Sequence, residues 1–149
     1  MFYISTGRMY ELAKITQNLL NPNVRLVTSN GAVFDGKAGR EVTLLGAKAV
    51  ELAYQVTQVD KLPMMLFTPK KAYFTEKIPH FIAQNAGNFD ESFGYKEIKN
   101  LAELKKVENE ITNGVILSRG NLKELKQANE KLMVTDLLRL SSSGLIILR

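Results

Sequence analysis

The sequence has no cysteine among its 149 residues. That excludes a disulfide framework, a thiolate nucleophile and any cysteine-ligated zinc or iron–sulfur centre. One histidine, His80, leaves a transition-metal site little to build on. No apolar run approaches the roughly 18 to 20 residues that cross a bilayer, and the longest, around residues 62–67 and 145–148, suit buried strands. No membrane role is expected. The first eight residues lack a basic region followed by a long apolar one, so no signal peptide is expected and the cytoplasm is the expected location.

Charge of one sign is lacking too. Twenty Lys and Arg face fifteen Asp and Glu, for a net charge of +5 and a pI near 9.4. The charges are interleaved along the chain and alternate in sign around residues 103–106 and 123–131, as on solvated helix faces. A nucleic-acid partner calls for a basic stripe, so it is not expected. Mild basicity equally suits small phosphorylated ligands. What the chain does have is 45% hydrophobic residues, enough for a packed core of domain size.

The order of elements is legible at the start. Phe2-Tyr3-Ile4 is β-prone and ends in Ser5-Thr6-Gly7-Arg8, after which Leu12, Ile15, Leu19 and Leu20 recur at helical spacing. Asn21-Pro22-Asn23 stops that helix. Residues 24–28 read as a second strand closed by Ser29-Asn30-Gly31, giving a β-α-β unit of an α/β fold with a parallel pair. Asp35-Gly36-Lys37-Ala38-Gly39 marks a turn or a domain crossing.

Beyond it the spacing predicts a helix on Ala49, Leu52, Ala53 and Val56, and a hairpin of residues 64–68 and 72–75 around Pro69-Lys70-Lys71. Residues 78–104 read as helix, loop and short helix. A strand at 114–118, a helix on Leu122, Leu125, Ala128 and Leu132, and strands at 133–140 and 144–148 complete the pattern. No repeat or low-complexity tract is present.

Two segments bear on chemistry. A strand that ends in hydroxyl residues and glycine at a helix start offers backbone N–H groups and a favourable dipole to an anion. Thr6 would donate its hydroxyl to a phosphoryl oxygen, Gly7 would let the backbone approach, and Arg8 would pair with the ligand. An ordinary Ser/Thr helix cap followed by a convenient glycine reads the same residues without function. The second segment, Ser29-Asn30-Gly31-Ala32, falls one helix and one strand later.

Together Ile4-Ser5-Thr6-Gly7-Arg8 and Ser29-Asn30-Gly31-Ala32 resemble the haloacid dehalogenase (HAD) superfamily, specifically its Cof-like class IIB phosphatases. The resemblance implies a partial Rossmann-like core over residues 1–35, an α+β cap with a mixed sheet over 36–143, and the start of a strand returning to the core at 144–149. It implies that Thr6, in the second core motif, holds the transferring phosphoryl group, with Gly7 and Arg8 shaping the turn and Asn30 lining the entrance beneath the cap. Lys70, Lys71 and Arg119 are further anion-friendly positions, whose bland reading is exposed loop charge.

The family's Asp-x-Asp-Gly-Thr, its lysine and its Gly-Asp-x-x-Asn-Asp motif are not in the 149 residues, and Asp35, Asp60, Asp90 and Asp136 are scattered. The expectation is therefore an internal fragment of a Mg²⁺-dependent phosphohydrolase of small phosphorylated metabolites. The fragment itself is expected to be inactive, to hold no metal, and to self-associate through an uncovered core face. The competing expectation is a self-contained anion- or nucleic-acid-binding α+β module.

Overall fold

The computed structural model describes residues 2–76, 96–118, 120–135, 140–142 and 145–148. Its architecture is mixed α/β, with two mixed sheets and helices packed on them. The first sheet has the order β1 (Tyr3–Ser5), β2 (Arg25–Thr28), β3 (Val33–Gly36), β4 (Gly39–Val42). β1 and β2 run parallel, with Tyr3 opposite Arg25 and Ser5 opposite Val27, and helix α1 (Tyr10–Leu20) makes the crossover. β3 and β4 form an antiparallel hairpin whose tight turn follows Asp35-Gly36.

Helix α1 ends where the sequence breaks it: the amide of Asn21 returns to Gln17 O, and the Gln17 side-chain amide donates to Val24 O, bracing the turn around Pro22. Its buried positions are Tyr10, Ala13 and Gln17. Ile15 and Leu19 of the expected apolar stripe are 45% and 82% exposed, as are Phe2 at 81% and Leu20 at 71%. On the buried side the Tyr10 hydroxyl donates to Asp35 Oδ2 (3.3 Å), and the Arg40 guanidinium stacks 3.6 Å over the Tyr10 ring. Burial raises the Tyr10 pKa first, with Arg40 pulling the other way, so the phenol stays a proton donor. Asp35 thus ties α1 to the β3–β4 hairpin.

Residues 43–46 carry the chain to the second sheet, so β4 belongs with the first sheet although it lies beyond the division expected at 35/36. The second sheet has the order β7 (Lys96–Glu97), β6 (Ala72–Phe74), β5 (Met64–Phe67), β8 (Asn113–Leu117), β10 (Leu145–Leu148), β9 (Leu140–Ser142). All its pairs are antiparallel except β6 with β7. Helices α2 (Ala47–Val59) and α4 (Leu122–Met133) cover it with Ala49, Val50, Ala53, Leu125, Ala128 and Leu132. The short helix α3 (Leu101–Leu104) is capped by Asn100, whose side chain accepts from Glu103 N–H at 3.0 Å. Lys131 of α4 pairs with Asp60 at the end of α2, joining the two covering helices.

Three expectations are corrected. Residues 145–148 do not return to the first sheet: β10 lies between β8 and β9, with Leu148 opposite Gly114 and Leu140. An unbroken apolar run marks a strand buried on both faces but does not say in which sheet. Residues 133–140 are not one strand, because α4 runs through Met133 and a turn follows at Val134; residues 136–139 lie outside the described residues, and Leu140 opens β9. Of residues 78–104, read as helix, loop and short helix, the last four form α3, but a strand, β7, precedes it at Lys96–Glu97; residues 77–95, including His80, lie outside the described residues.

Glu108, 9% exposed, sits in the helical layer beside Glu51, which pairs with Lys105 at 3.3 Å. Burial, and then the neighbouring Glu51 carboxylate, raise the Glu108 pKa, with Lys105 opposing. The folded state therefore binds the Glu108 proton more tightly than the unfolded chain. Its ionisation destabilises the fold as pH rises past the ordinary carboxylate range, and the penalty is complete above the raised pKa. Glu108→Gln is expected to be more stable than the wild type at about pH 8 and to lose that advantage below about pH 4, where both carboxyl states are neutral. Urea midpoints across pH check this; an advantage that is the same at every pH would contradict it.

Candidate functional site

The parallel pair β1–β2 points both strand ends the same way. Thr6 follows β1 and donates its amide to Val27 O (2.9 Å), extending the ladder one step. Ser29 follows β2 and donates its amide to Arg8 O (2.9 Å), so the two turns are pinned to each other. The Thr6-Gly7-Arg8 turn and Asn30 are thereby neighbours.

The helix start is further off than the sequence suggested. α1 begins at Tyr10 with Met9 as its cap residue and no side-chain cap, so neither Ser5 nor Thr6 is a helix cap. The dipole acts mainly within the first turn, which lessens its share at Thr6. Instead, Thr6 Oγ1 accepts the Arg8 amide at 3.2 Å. With one lone pair so used, the hydroxyl proton remains for an outside acceptor.

The Asn30 turn is backbone-strained. Ser29 has φ 53°, Asn30 φ 56° and Gly31 φ 93°, three successive residues in the left-handed region. Asn-Gly announces such a turn, but nothing in the sequence marks Ser29 for it. Thr28 and Ser29 are fully buried, and their hydroxyl oxygens have no hydrogen-bond partner among the described residues. Sequence reasoning missed both; a hydroxyl residue at the end of a buried strand is the one signal that would have raised them.

Among the described residues, two clefts open where the sheets meet. One, of about 420 Å³, lies between Asn30–Ala32 on the first sheet, the connecting residues 43–45 and Thr112 on the second. The other, of about 560 Å³, holds Lys70 and Lys71 with Thr68, Tyr73 and Glu110. Both are bounded by Leu44. Lys70 and Lys71 therefore stand in the neighbouring cleft, not against Asn30, although Pro69 O accepts the Glu11 amide of α1 (3.4 Å) and brings the hairpin tip to the first sheet. Arg119 lies outside the described residues. Thr68 Oγ1 accepts the amides of Lys70 and Lys71, which shapes that tip.

The donor set favours an oxyanion. Among the described residues no group of three or more His, Cys, Asp or Glu is placed to hold a metal ion, and no helix is long and apolar enough to cross a membrane. A Mg²⁺ ion does not fit these side chains; hydroxyls, amides and Arg8 fit the oxygens of a phosphoryl group.

Solved structures share this shape. A haloacid dehalogenase-like hydrolase from Bacteroides thetaiotaomicron superposes with a TM-score of 0.77 at 13% identity, over 98% of this chain and 56% of its own. One from B. subtilis gives 0.72 at 18% identity, over 98% and 60%. A HAD subclass IIB sugar phosphatase gives 0.63 at 10% identity, over 98% and 55%. The chain thus spans little more than half the length of the structures it matches. No curated protein matches it. The sequence itself matches the haloacid dehalogenase-like hydrolase family over residues 1–148, nearly end to end, and the chain belongs to that family.

Proposed function

We propose that these 149 residues serve a Mg²⁺-dependent phosphohydrolase of small phosphorylated metabolites, a sugar phosphate or a cofactor-like molecule. The first sheet supplies a phosphoryl-binding turn and the second a cap that selects the substrate. The observation that carries this reading is the pinning of Thr6-Gly7-Arg8 against Ser29–Gly31 at adjacent ends of a parallel strand pair. There the Thr6 hydroxyl would donate to a phosphoryl oxygen and Arg8 would balance its charge. Asn30 would line the entrance and, from the neighbouring cleft, Lys70 and Lys71 would meet a distal anionic group. A cap packed over such a site would exclude water and sort leaving groups.

The nucleophilic carboxylate and the groups that hold magnesium would be supplied by other residues. We extend the proposal to inactivity of the 149 residues on their own, to a cytoplasmic location, and to self-association through Phe2, Ile15, Leu19 and Leu20. Light scattering checks the last, and a monodisperse monomer at high concentration would remove it.

The activity test uses an aryl phosphate with Mg²⁺. The 149 residues alone are expected to show no turnover. In a protein that adds the missing carboxylates, Thr6→Ala is expected to lower kcat/KM by about 10²- to 10³-fold, the usual cost of removing one oxyanion donor. Turnover by the 149 residues that Thr6→Ala abolishes would defeat the inactivity claim, and an unaltered Thr6→Ala enzyme would defeat the role of the turn.

A further inference from the structure

Gly7 is glycine for a reason its own backbone does not supply. Its φ is not in the left-handed region, unlike Gly31, Gly39, Gly46 and Gly120. Its φ alone therefore does not call for glycine. What crowds a side chain is a neighbour: a Cβ on Gly7 would lie 2.8 Å from Asn30 Oδ1 and 3.6 Å from Asn30 Cγ, so the exposed Asn30 amide would have to leave its place. The Asn30 amide occupies the space a Cβ would take.

Asn30 reaches that space through its own backbone. At φ 56° and ψ 35° it lies within the left-handed turn between Ser29 and Gly31. Left-handed non-glycine residues are costly and persist where surrounding structure holds them. Here the Ser29 amide is held by Arg8 O and the Thr6 amide by Val27 O, each at 2.9 Å. The strain of one turn is thereby coupled to the shape of the other.

We infer that Asn30 is a positioning residue: its side chain, seated on the bare Cα of Gly7, fixes the Thr6-Gly7-Arg8 turn in the conformation that presents the Thr6 hydroxyl. The functional consequence rests on the phosphoryl-binding reading given above, while the contact itself does not. Asn30 acts here through Gly7 and need not touch the ligand.

A double-mutant cycle on the full chain tests this, using Gly7→Ala, Asn30→Gly and the two combined. Neither change is opposed by φ, since glycine takes a positive φ freely and the φ of Gly7 does not call for glycine. Gly7→Ala is expected to lower the folding equilibrium constant about tenfold in the wild-type background and less than about threefold beside Asn30→Gly. Urea unfolding reads both. Inorganic phosphate titrated against the Thr6, Gly7 and Arg8 amide resonances supplies a readout that packing alone would not move. Asn30→Gly is expected to weaken phosphate binding at least about threefold while leaving the resonances of β5 and β8 in place.

Additive single effects in the cycle would overturn the inference. So would a coupled cycle with undiminished phosphate affinity, which would leave Asn30 as packing only. A wild-type chain that binds no phosphate defeats the phosphoryl-binding reading instead, and the cycle then decides the Asn30–Gly7 coupling by itself.

Discussion

Gly114→Val is expected to destabilise the second sheet strongly, by about 3 kcal/mol. Gly114 lies in β8, flanked by β5 and β10, opposite Leu66 on one side and Leu148 on the other. A Cβ there would lie 2.9 Å from the Met65 carbonyl oxygen, 2.9 Å from Leu66 Cδ2 and 3.1 Å from Leu148 Cδ1. The leucine methyls can turn away. The carbonyl cannot, because β5 is paired on both sides, with β6 and with β8. Replacing a strand glycine by alanine would otherwise gain about 0.4 to 1 kcal/mol by restricting the unfolded chain. Overpacking costs about 1 to 3 kcal/mol, so the clash wins for Gly114→Ala, and valine's two further methyls raise the cost again. Against a total stability of about 5 to 15 kcal/mol, that is a large fraction, and the urea midpoint should fall in proportion. Circular dichroism during urea unfolding measures it; a Gly114→Ala chain more stable than the wild type would show that β8 can shift.

The parts of the fold legible in the sequence are those in which local chemistry and tertiary partner agree. The β1-α1-β2 unit was readable because Pro22 ends the helix and short loops force a parallel pair. The β5–β6 hairpin was readable because Pro69-Lys70-Lys71 separates two apolar runs. Helix α4 was readable because Leu125, Ala128 and Leu132 repeat at helical spacing, although Leu122 at 63% exposure is not part of the buried face. Where periodicity names an element but not its neighbour, the reading failed. The run Leu145–Leu148 is apolar throughout and would suit the centre of either sheet; pairing with β8 decides it. On α1 the leucines and isoleucine mark an apolar stripe, yet the face against β2 is Tyr10, Ala13 and Gln17, because Tyr10 is drawn to Asp35 and Gln17 to Val24. Around Met133 and Val134 the β-prone residues lost to a helix already propagating from Leu122.

The site divides in the same way. Thr6, Gly7, Arg8 and Asn30 could be selected because hydroxyl-glycine and Asn-Gly pairs at strand ends carry their own conformational signal. The contact of Asn30 with Gly7, the left-handed Ser29 and the buried hydroxyls of Thr28 and Ser29 arise only when two turns distant in sequence are pinned together. No local pattern encodes them. Lys70 and Lys71 were visible as charge on a hairpin tip, but their place in the cleft beside Glu110 depends on how the second sheet meets the connecting residues 43–45.

Leu26→Ala is expected to unfold the first sheet and leave the second standing. Among the described residues, buried apolar side chains form a large cluster beneath α2 and α4 and, separate from it, a small one made of Tyr10, Ala13, Leu26 and Val33 with Ile4 against it. Leu26 is fully buried at the centre of the small cluster, in a strand paired on both sides. Truncating a leucine so placed costs about 2 to 5 kcal/mol, and so small a cluster has few neighbours able to collapse into the cavity. The second sheet shares none of those contacts, and its largest buried residues, among them Met64, Leu66 and Ile116, stay in place. Cooperative units of this kind open with their own free energies. Amide exchange in Leu26→Ala should therefore lose protection at β1, β2 and β3, while β5 and β8 keep the rates they have in the wild type. Equal loss in both sheets would mean that the connecting residues 43–46 and the Glu11–Pro69 contact couple them into one unit, and the proposed division between a core sheet and a cap sheet would have no energetic basis.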